Sequence, residues 1–448
     1  MDQHQITRRQ LISGLGSTAL LSFLGKVNAF AQASPPDYKA LVCVFLSGGN
    51  DSHNMVVPFN AADYAVYKSA RGSIALPDYN GALINVVNQD GAAYGLNPGL
   101  IALQPLWNQG ALAVLANTGM LVQPVTRAQF LANAVPLPTN LFSHSDQVQQ
   151  IQTGIPSTSG GTGWGGRAID AVQSLNDGGR LPSSLSVAGP SLFCKGSIVQ
   201  GASILPGLGL DTWGLDMWPQ TAADARKAGL QQILQFNSGL ELIQVANQVR
   251  QDALDLNAML SGGSATVNTL FPGTSLGKQL RQVAQIIKLR STTGMSRQVF
   301  FCTLEGFDTH GGQSWQHFDL LRQLSEGLSA FYNSTVELGV ADRVTSFTLS
   351  DFGRTLEVSG TGSDHGWGSH HLVLGGAVQG GRIHGQFPTL ALGGPDDANT
   401  RGVLIPTTSI DQYGATLAAW LGVPAAQLPT VFPNLSKFAK PTLDFMKA

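Results

Sequence analysis

Ala40-Leu41-Val42-Cys43-Val44-Phe45-Leu46 runs without a polar residue into Ser47-Gly48-Gly49-Asn50-Asp51-Ser52-His53. A short, continuous apolar run ended by a glycine pair reads as a strand buried on both faces, as parallel strands are in a sheet covered by helices. Residues 298–304, 344–349 and 111–116 repeat the pattern, and helical spacing covers 97–107, 166–175, 313–332 and 409–421. Strands alternating with helices predict a doubly wound, mainly parallel α/β sheet. From 221 to about 290 the pattern changes. Leu242, Val245, Ala246, Val249, Ala253 and Leu256 keep helical spacing up to Gly262-Gly263, and a further helix is expected over 275–289. With no strand of its own, this stretch reads as a helical insertion in a single domain spanning 32–448. Residues 155–166 and 360–369 read as loops.

Composition excludes several classes of protein. Only 12% of the 448 residues are charged, against about 25% in ordinary soluble domains, while 53 are glycine. The 26 cations against 28 anions supply no basic stripe for nucleic acid. Normal hydrophobic content with low net charge excludes a disordered chain.

The first 31 residues read as a targeting segment. Arg8-Arg9 precedes a modest apolar run from Leu11 to Leu24, interrupted by Gly14 and Gly16, and Ala29-Phe30-Ala31 offers small residues for cleavage. The run is too short to span a bilayer, and no later stretch reaches that length, so a mature chain in the periplasm or secreted is expected. Removing this segment takes away Arg8, Arg9, Lys26 and Asp2. It leaves 23 cations against 27 anions, and the three cysteines Cys43, Cys194 and Cys302, which read as core thiols.

In open α/β sheets, reactive groups lie just past the carboxyl ends of the strands. Asp51 follows the first strand. Asp308 and His310 follow the strand at 298–304. Asp351 and Arg354 follow the strand at 344–349, with His365, His370 and His371 further on. Five of the nine histidines fall within 301–371, which weakens the separate readings of Asp51 as a turn residue and Asp308 as a helix cap. Carboxylates and imidazoles gathered on one sheet edge suit a divalent cation such as Zn²⁺, Mn²⁺, Mg²⁺ or Ca²⁺. His370 and His371 point apart in an extended chain, so at most one faces such a site. His317, on a helix, reads as a packing or surface residue. Ser143, before a helix over 147–152, is either an N-cap or a nucleophile with its hydroxyl on a metal. Arg127, Arg167 and Arg354 are the cations best placed to clamp an anion.

Two pattern matches are set aside. Gly161, Gly163 and Gly166 form G-x-G-x-x-G after a loop instead of a strand, which argues against a dinucleotide site. Gly273-Thr274-Ser275-Leu276-Gly277 matches a nucleophile elbow but lacks the core strand in front, so Ser275 reads as a helix cap.

The leader, Phe45-Leu46-Ser47-Gly48-Gly49-Asn50-Asp51, Gly163-Trp164-Gly165-Gly166-Arg167, Phe307-Asp308-Thr309-His310, Ser350-Asp351-Phe352-Gly353-Arg354-Thr355, Asp364-His365-Gly366-Trp367-Gly368 and Ile410-Asp411-Gln412-Tyr413 together resemble one family. It is the domain of unknown function 1501 family, grouped with the alkaline phosphatase and sulfatase superfamily. The resemblance covers nearly the whole mature chain. It implies a metal site that cleaves phosphate or sulfate esters through a metal-activated hydroxyl. Carried over, it makes Asp51, Asp308, His310, Asp351 and His365 metal ligands, Ser143 the nucleophile, and Arg354 an anion clamp. Phe352 departs from the pattern where a ligand histidine is expected, which leaves a gap that His370 or His371 could fill and favours one metal over two.

Two expectations follow. One is an exported, metal-dependent hydrolase of a small anionic ester. The other is a non-catalytic binding or assembly protein of the cell envelope, with a protein partner there, that keeps the fold and one metal.

Overall fold

A computed structural model describes residues 37–77, 83–88, 90–206, 215, 217–261 and 265–447. The leader assigned to residues 1–31 lies outside the described residues.

The strands in chain order are β1 (Lys39–Ser47), β2 (Leu112–Gly119), β3 (Ser184–Ser186), β4 (Ala202–Ser203), β5 (Arg297–Glu305), β6 (Val344–Ser350), β7 (Arg354–Ser359), β8 (Gly362–His365), β9 (Ser369–Leu374), β10 (Arg382–His384) and β11 (Thr408–Ser409). Among the described residues, nine of them form one sheet in the order β10-β2-β9-β6-β1-β5-β3-β4, with β11 also on β2. β1 lies between β6 and β5 and is parallel to both. Only β9 runs against its neighbours, pairing antiparallel with β2 and β6. The sheet is therefore mainly parallel, as the buried apolar runs predict. β7 and β8 form a separate antiparallel hairpin, with β8 inside the 360–369 stretch that the sequence reads as loop. A small antiparallel sheet joins Val56–Pro58, Ala93–Leu96 and Ile84–Val87.

The helices that matter below are α1 (Ala61–Arg71), α2 (His144–Thr153), α3 (Trp164–Val172), α4 (Gln220–Gln235), α5 (Glu241–Ser261), α6 (Ser275–Lys288), α7 (Gln313–Glu337) and α8 (Ile410–Leu421). Side-chain alternation along β1 explains how the sheet is covered. Ala40, Val42, Val44 and Leu46 pack on one face with Leu280, Val283 and Ile287 of α6 and Leu321, Leu324 and Leu328 of α7. Leu41, Cys43 and Phe45 pack on the other with Trp164, Ala168 and Ile169 of α3 and Tyr413, Leu417 and Leu421 of α8. Both faces are apolar, so after Lys39 β1 has no charged or strongly hydrogen-bonding side chain to offer until Ser47. Within 221–290, α4 and α5 pack on each other, and α6 belongs to the main helical layer, against β5 and α7. Ser275 is the first residue of α6, with Thr274 as its cap, and follows loop instead of strand. All three cysteines are free and buried.

Candidate functional site

The parallel strands β1, β5 and β6 end side by side, so the turns that follow them meet. Asp351, just past β6, accepts a hydrogen bond from the Gly48 backbone N–H just past β1, 3.0 Å. Arg354 opens the β7–β8 hairpin and is fully buried. Its guanidinium donates to the carbonyls of Gly48 (3.1 Å) and Ser363 (3.1 Å) and to Asp308 Oδ1 (3.0 Å), so one side chain ties three loops together.

On this frame four donors converge. Asp308 Oδ1 lies 3.0 Å from His310 Nε2, 3.4 Å from His144 Nε2 and 3.5 Å from His365 Nε2. His365 Nε2 is 3.1 Å from both His144 Nε2 and His310 Nε2. Ligands at 2.0–2.1 Å from a small ion stand about 3.3–3.4 Å apart, and His144, Asp308 and His365 have these spacings, while His310 adjoins them through Asp308 and His365.

The tautomers point the same way. His365 Nδ1 lies 2.8 Å from the Phe142 carbonyl, which only accepts, so Nδ1 carries the proton and Nε2 the lone pair. His144 Nδ1 lies 2.7 Å from Asp351 Oδ2, which fixes the same tautomer. Two imidazole lone pairs then face each other at 3.1 Å, an arrangement that needs a cation or a proton between them. The hydrogen bond to Asp351 raises the pKa of His144, and burial lowers that of His365, so a proton at this point belongs to His144. Burial opposes ionisation of Asp308, but the hydrogen bond and charge of Arg354 outweigh it and hold the carboxyl below its ordinary value. Asp351 on His144 and Phe142 on His365 are the outer partners that metal-bound histidines ordinarily have. Asp364, with His310 and His365, offers a further carboxylate beside the group. Asp308 and His310 are about half exposed, so the cluster opens to solvent.

Of the expected ligands, Asp308, His310 and His365 come together, and Asp351 reaches the cluster only through His144. Asp51 does not join them. It is buried, paired with the buried guanidinium of Arg71 and hydrogen-bonded by Gln313. His144 is the donor that sequence reasoning missed. It stands in the Ser143-His144-Ser145-Asp146 turn, where attention went to the serine.

The gap at Phe352 is not filled by either later histidine. Extended backbone in β9 sends both rings into the core. His370 Nδ1 accepts from the Asn117 backbone N–H (3.0 Å), and His371 stacks on Tyr413. Burial lowers the pKa of each to about 3. The Phe352 ring instead packs against His144 and His365, with centroids 4.7 and 4.8 Å away. His317 is a packing histidine, buried with its Nε2 2.9 Å from Asn50 Oδ1.

Ser143 is the N-cap residue of α2, but its hydroxyl donates to Asp146 and lies 3.1 Å from Ser145 Oγ, without closing a backbone cap. The anion clamps expected at Arg127, Arg167 and Arg354 are committed elsewhere. Arg127 donates to the carbonyls of Asp397 and Asn399, and Arg167 to those of Thr162 and Val431. Arg354 spends its donors on Gly48, Ser363 and Asp308.

A family model described as "Protein of unknown function (DUF1501)" matches residues 38–400. No curated protein matches the chain. Among solved structures, the chain is similar to PsFucS1 sulfatase from Pseudoalteromonas sp., at 11% identity and a TM-score of 0.36, covering 96% of this chain and 74% of that one. It is similar to the lipoteichoic acid synthase LtaP from Listeria monocytogenes at 8% identity and a TM-score of 0.32, covering 90% and 78%. A mutant of alkaline phosphatase PafA is similar at 13% identity and a TM-score of 0.27, covering 72% and 64%.

Proposed function

The chain belongs to the DUF1501 family of proteins of unknown function, and from the site it builds we propose that it is an exported, metal-dependent hydrolase of phosphate or sulfate esters. The observation that carries this reading is the pair of imidazole lone pairs, His144 Nε2 and His365 Nε2, facing each other at 3.1 Å beside Asp308 and His310. A nitrogen-rich donor set favours a borderline ion such as Zn²⁺ over Mg²⁺ or Ca²⁺. When bound, such an ion polarises an ester oxygen and lowers the pKa of a nearby hydroxyl.

The chain's own groups do the rest. His144, Asp308 and His365 are the ligands, with His310 beside them, and Asp351 and Arg354 hold two of them in place. Ser143, next to His144, is the nucleophile, and Asp146 takes its proton. The first-turn N–H groups of α2 hold anionic oxygens. With Arg354 committed to the loops, little positive charge is left for a substrate beyond one anionic group, which fits a small monoester. The Arg8-Arg9 leader supports export, and no helix among the described residues is long and apolar enough to cross a membrane.

A specific observation favours a second reading, a non-catalytic envelope component that keeps the metal. The cations placed to clamp an anion, Arg127, Arg167 and Arg354, are all spent on backbone carbonyls or on Asp308.

Metal content and turnover of aryl phosphate and aryl sulfate esters, measured on the zinc-loaded chain, separate the two. The hydrolase reading expects one divalent ion per chain and turnover that falls at least about 100-fold in Ser143→Ala with metal content unchanged. A bound ion without turnover selects the second reading. A chain that binds no divalent ion overturns both.

A further inference from the structure

Asp51 follows β1 in the turn where the sequence leads one to expect a metal ligand, yet its carboxylate is completely buried with another partner. A buried carboxylate must be matched by a cation, and here the match is Arg71, the last residue of α1, itself completely buried. Arg71 Nη2 donates to Asp51 Oδ2, Nε to Asn54 Oδ1 (3.1 Å), and Nη1 to the carbonyls of Thr355 (2.7 Å) and Leu356 (3.1 Å). All three nitrogens are engaged, so the guanidinium is fixed. Asp51 Oδ1, itself buried, accepts no hydrogen bond among the described residues and is the carboxylate oxygen a second cation would have to share. A divalent cation there would set three positive charges, its own two and the guanidinium's, against one negative charge. Among the described residues, the groups able to hold a metal do not include Asp51.

We infer that Arg71 is the resident cation of Asp51, so that the centre takes one metal ion and Asp51 acts on it only at a distance, as a positioning residue. The route is visible. Gln313 Nε2 donates to Asp51 Oδ2, and Gln313 Oε1 accepts from Ser363 Oγ (2.5 Å). The Ser363 carbonyl accepts from Arg354 Nε (3.1 Å), and Arg354 Nη1 donates to Asp308 Oδ1 (3.0 Å). Removing Arg71 leaves Asp51 uncompensated at one end of this chain and loosens Asp308 at the other.

The inference rests on the metal reading above, and its test keeps the two apart. In a titration of the full chain with Zn²⁺, the wild type takes up one equivalent. Arg71→Ala binds at least about 10-fold more weakly and melts at a lower temperature. Guanidinium ion at tens of millimolar restores both, and tetramethylammonium restores neither. If Arg71→Ala folds only with guanidinium present, that dependence is the same result. Arg71→Lys, which keeps the charge without the fork, takes up one equivalent with weakened affinity. Two equivalents in the wild type, or unchanged zinc affinity in Arg71→Ala, overturns the inference. So does a loss of stability that guanidinium does not repair. A wild type that takes up no zinc ends the metal reading, while guanidinium rescue of stability in Arg71→Ala still reports on the clamp.

Discussion

Asp351 reaches the candidate centre through a single imidazole, and that makes its chemistry testable. Its Oδ1 is held by the Gly48 N–H and its Oδ2 receives His144 Nδ1–H, so the carboxylate decides which His144 nitrogen keeps the proton. In Asp351→Asn the amide oxygen can still accept from Gly48, but the amide nitrogen then donates to His144 Nδ1. The ring proton moves to Nε2, where a metal must bind. The expected outcome is a chain that melts normally and binds zinc about 10–100-fold more weakly, read by calorimetric titration. Unchanged affinity would show that Asp351 does not set the tautomer. The contrast between His144 and its partners also shows what the residues reveal on their own. Asp308, His310 and His365 follow strands or lie in the same stretch of chain, so their convergence is legible. His144 enters from the start of a helix on another part of the chain, and only folding brings it to Phe352. The capture of Asp51 by Arg71 was equally hidden, because nothing in an Arg71 that closes an amphipathic helix shows that it is buried.

At the scale of elements, the turn after β1 sets how closely the loops approach. Gly48 has φ +115°, and a Cβ placed there would lie 2.3 Å from the Asp308 backbone N. Neither neighbour can yield, because the same Gly48 holds Asp351 through its N–H and Arg354 through its carbonyl. Gly48→Ala should cost about 2–4 kcal/mol of stability in denaturant unfolding and weaken zinc binding as well, since the β1 and β5 turns must part. A variant within about 0.5 kcal/mol of the wild type would refute this close approach. Glycines at such turns are readable, and so are strands built from unbroken apolar runs. β9 is not, because Ser369-His370-His371 disguises a central strand, and its buried histidines are tolerated only as neutral rings. The β7–β8 hairpin is hidden for a different reason. Gly360, Gly362 and Asp364 have loop composition, and what makes them a hairpin is the buried Arg354 that bonds across to Ser363.

At the scale of the whole molecule, the low charge of the chain means that few ionisable groups couple its stability to pH, and Asp411 is the one to watch. It sits in the first turn of α8, buried under the second face of the sheet. Burial raises its pKa from 3.8 to about 7, and the backbone N–H groups of Asp411 and Asn434 and the charge of Arg167 offset this only in part. The folded chain therefore keeps a proton that the unfolded chain releases above pH about 4. Stability falls as pH rises from about 4 to about 7 and levels off beyond, with a ceiling on the order of 4 kcal/mol. Arg167 belongs to the same corner, since its guanidinium holds α3 to the Val431 carbonyl, so any strain at Asp411 is felt where the C-terminal segment docks. Asp411→Asn puts a neutral side chain of the same shape in place. Its melting temperature should exceed that of the wild type at pH 8, and the gap should close as pH is lowered towards 4. A gap that stays constant with pH would mean that Asp411 is ionised in the folded chain and that Arg167 compensates it fully.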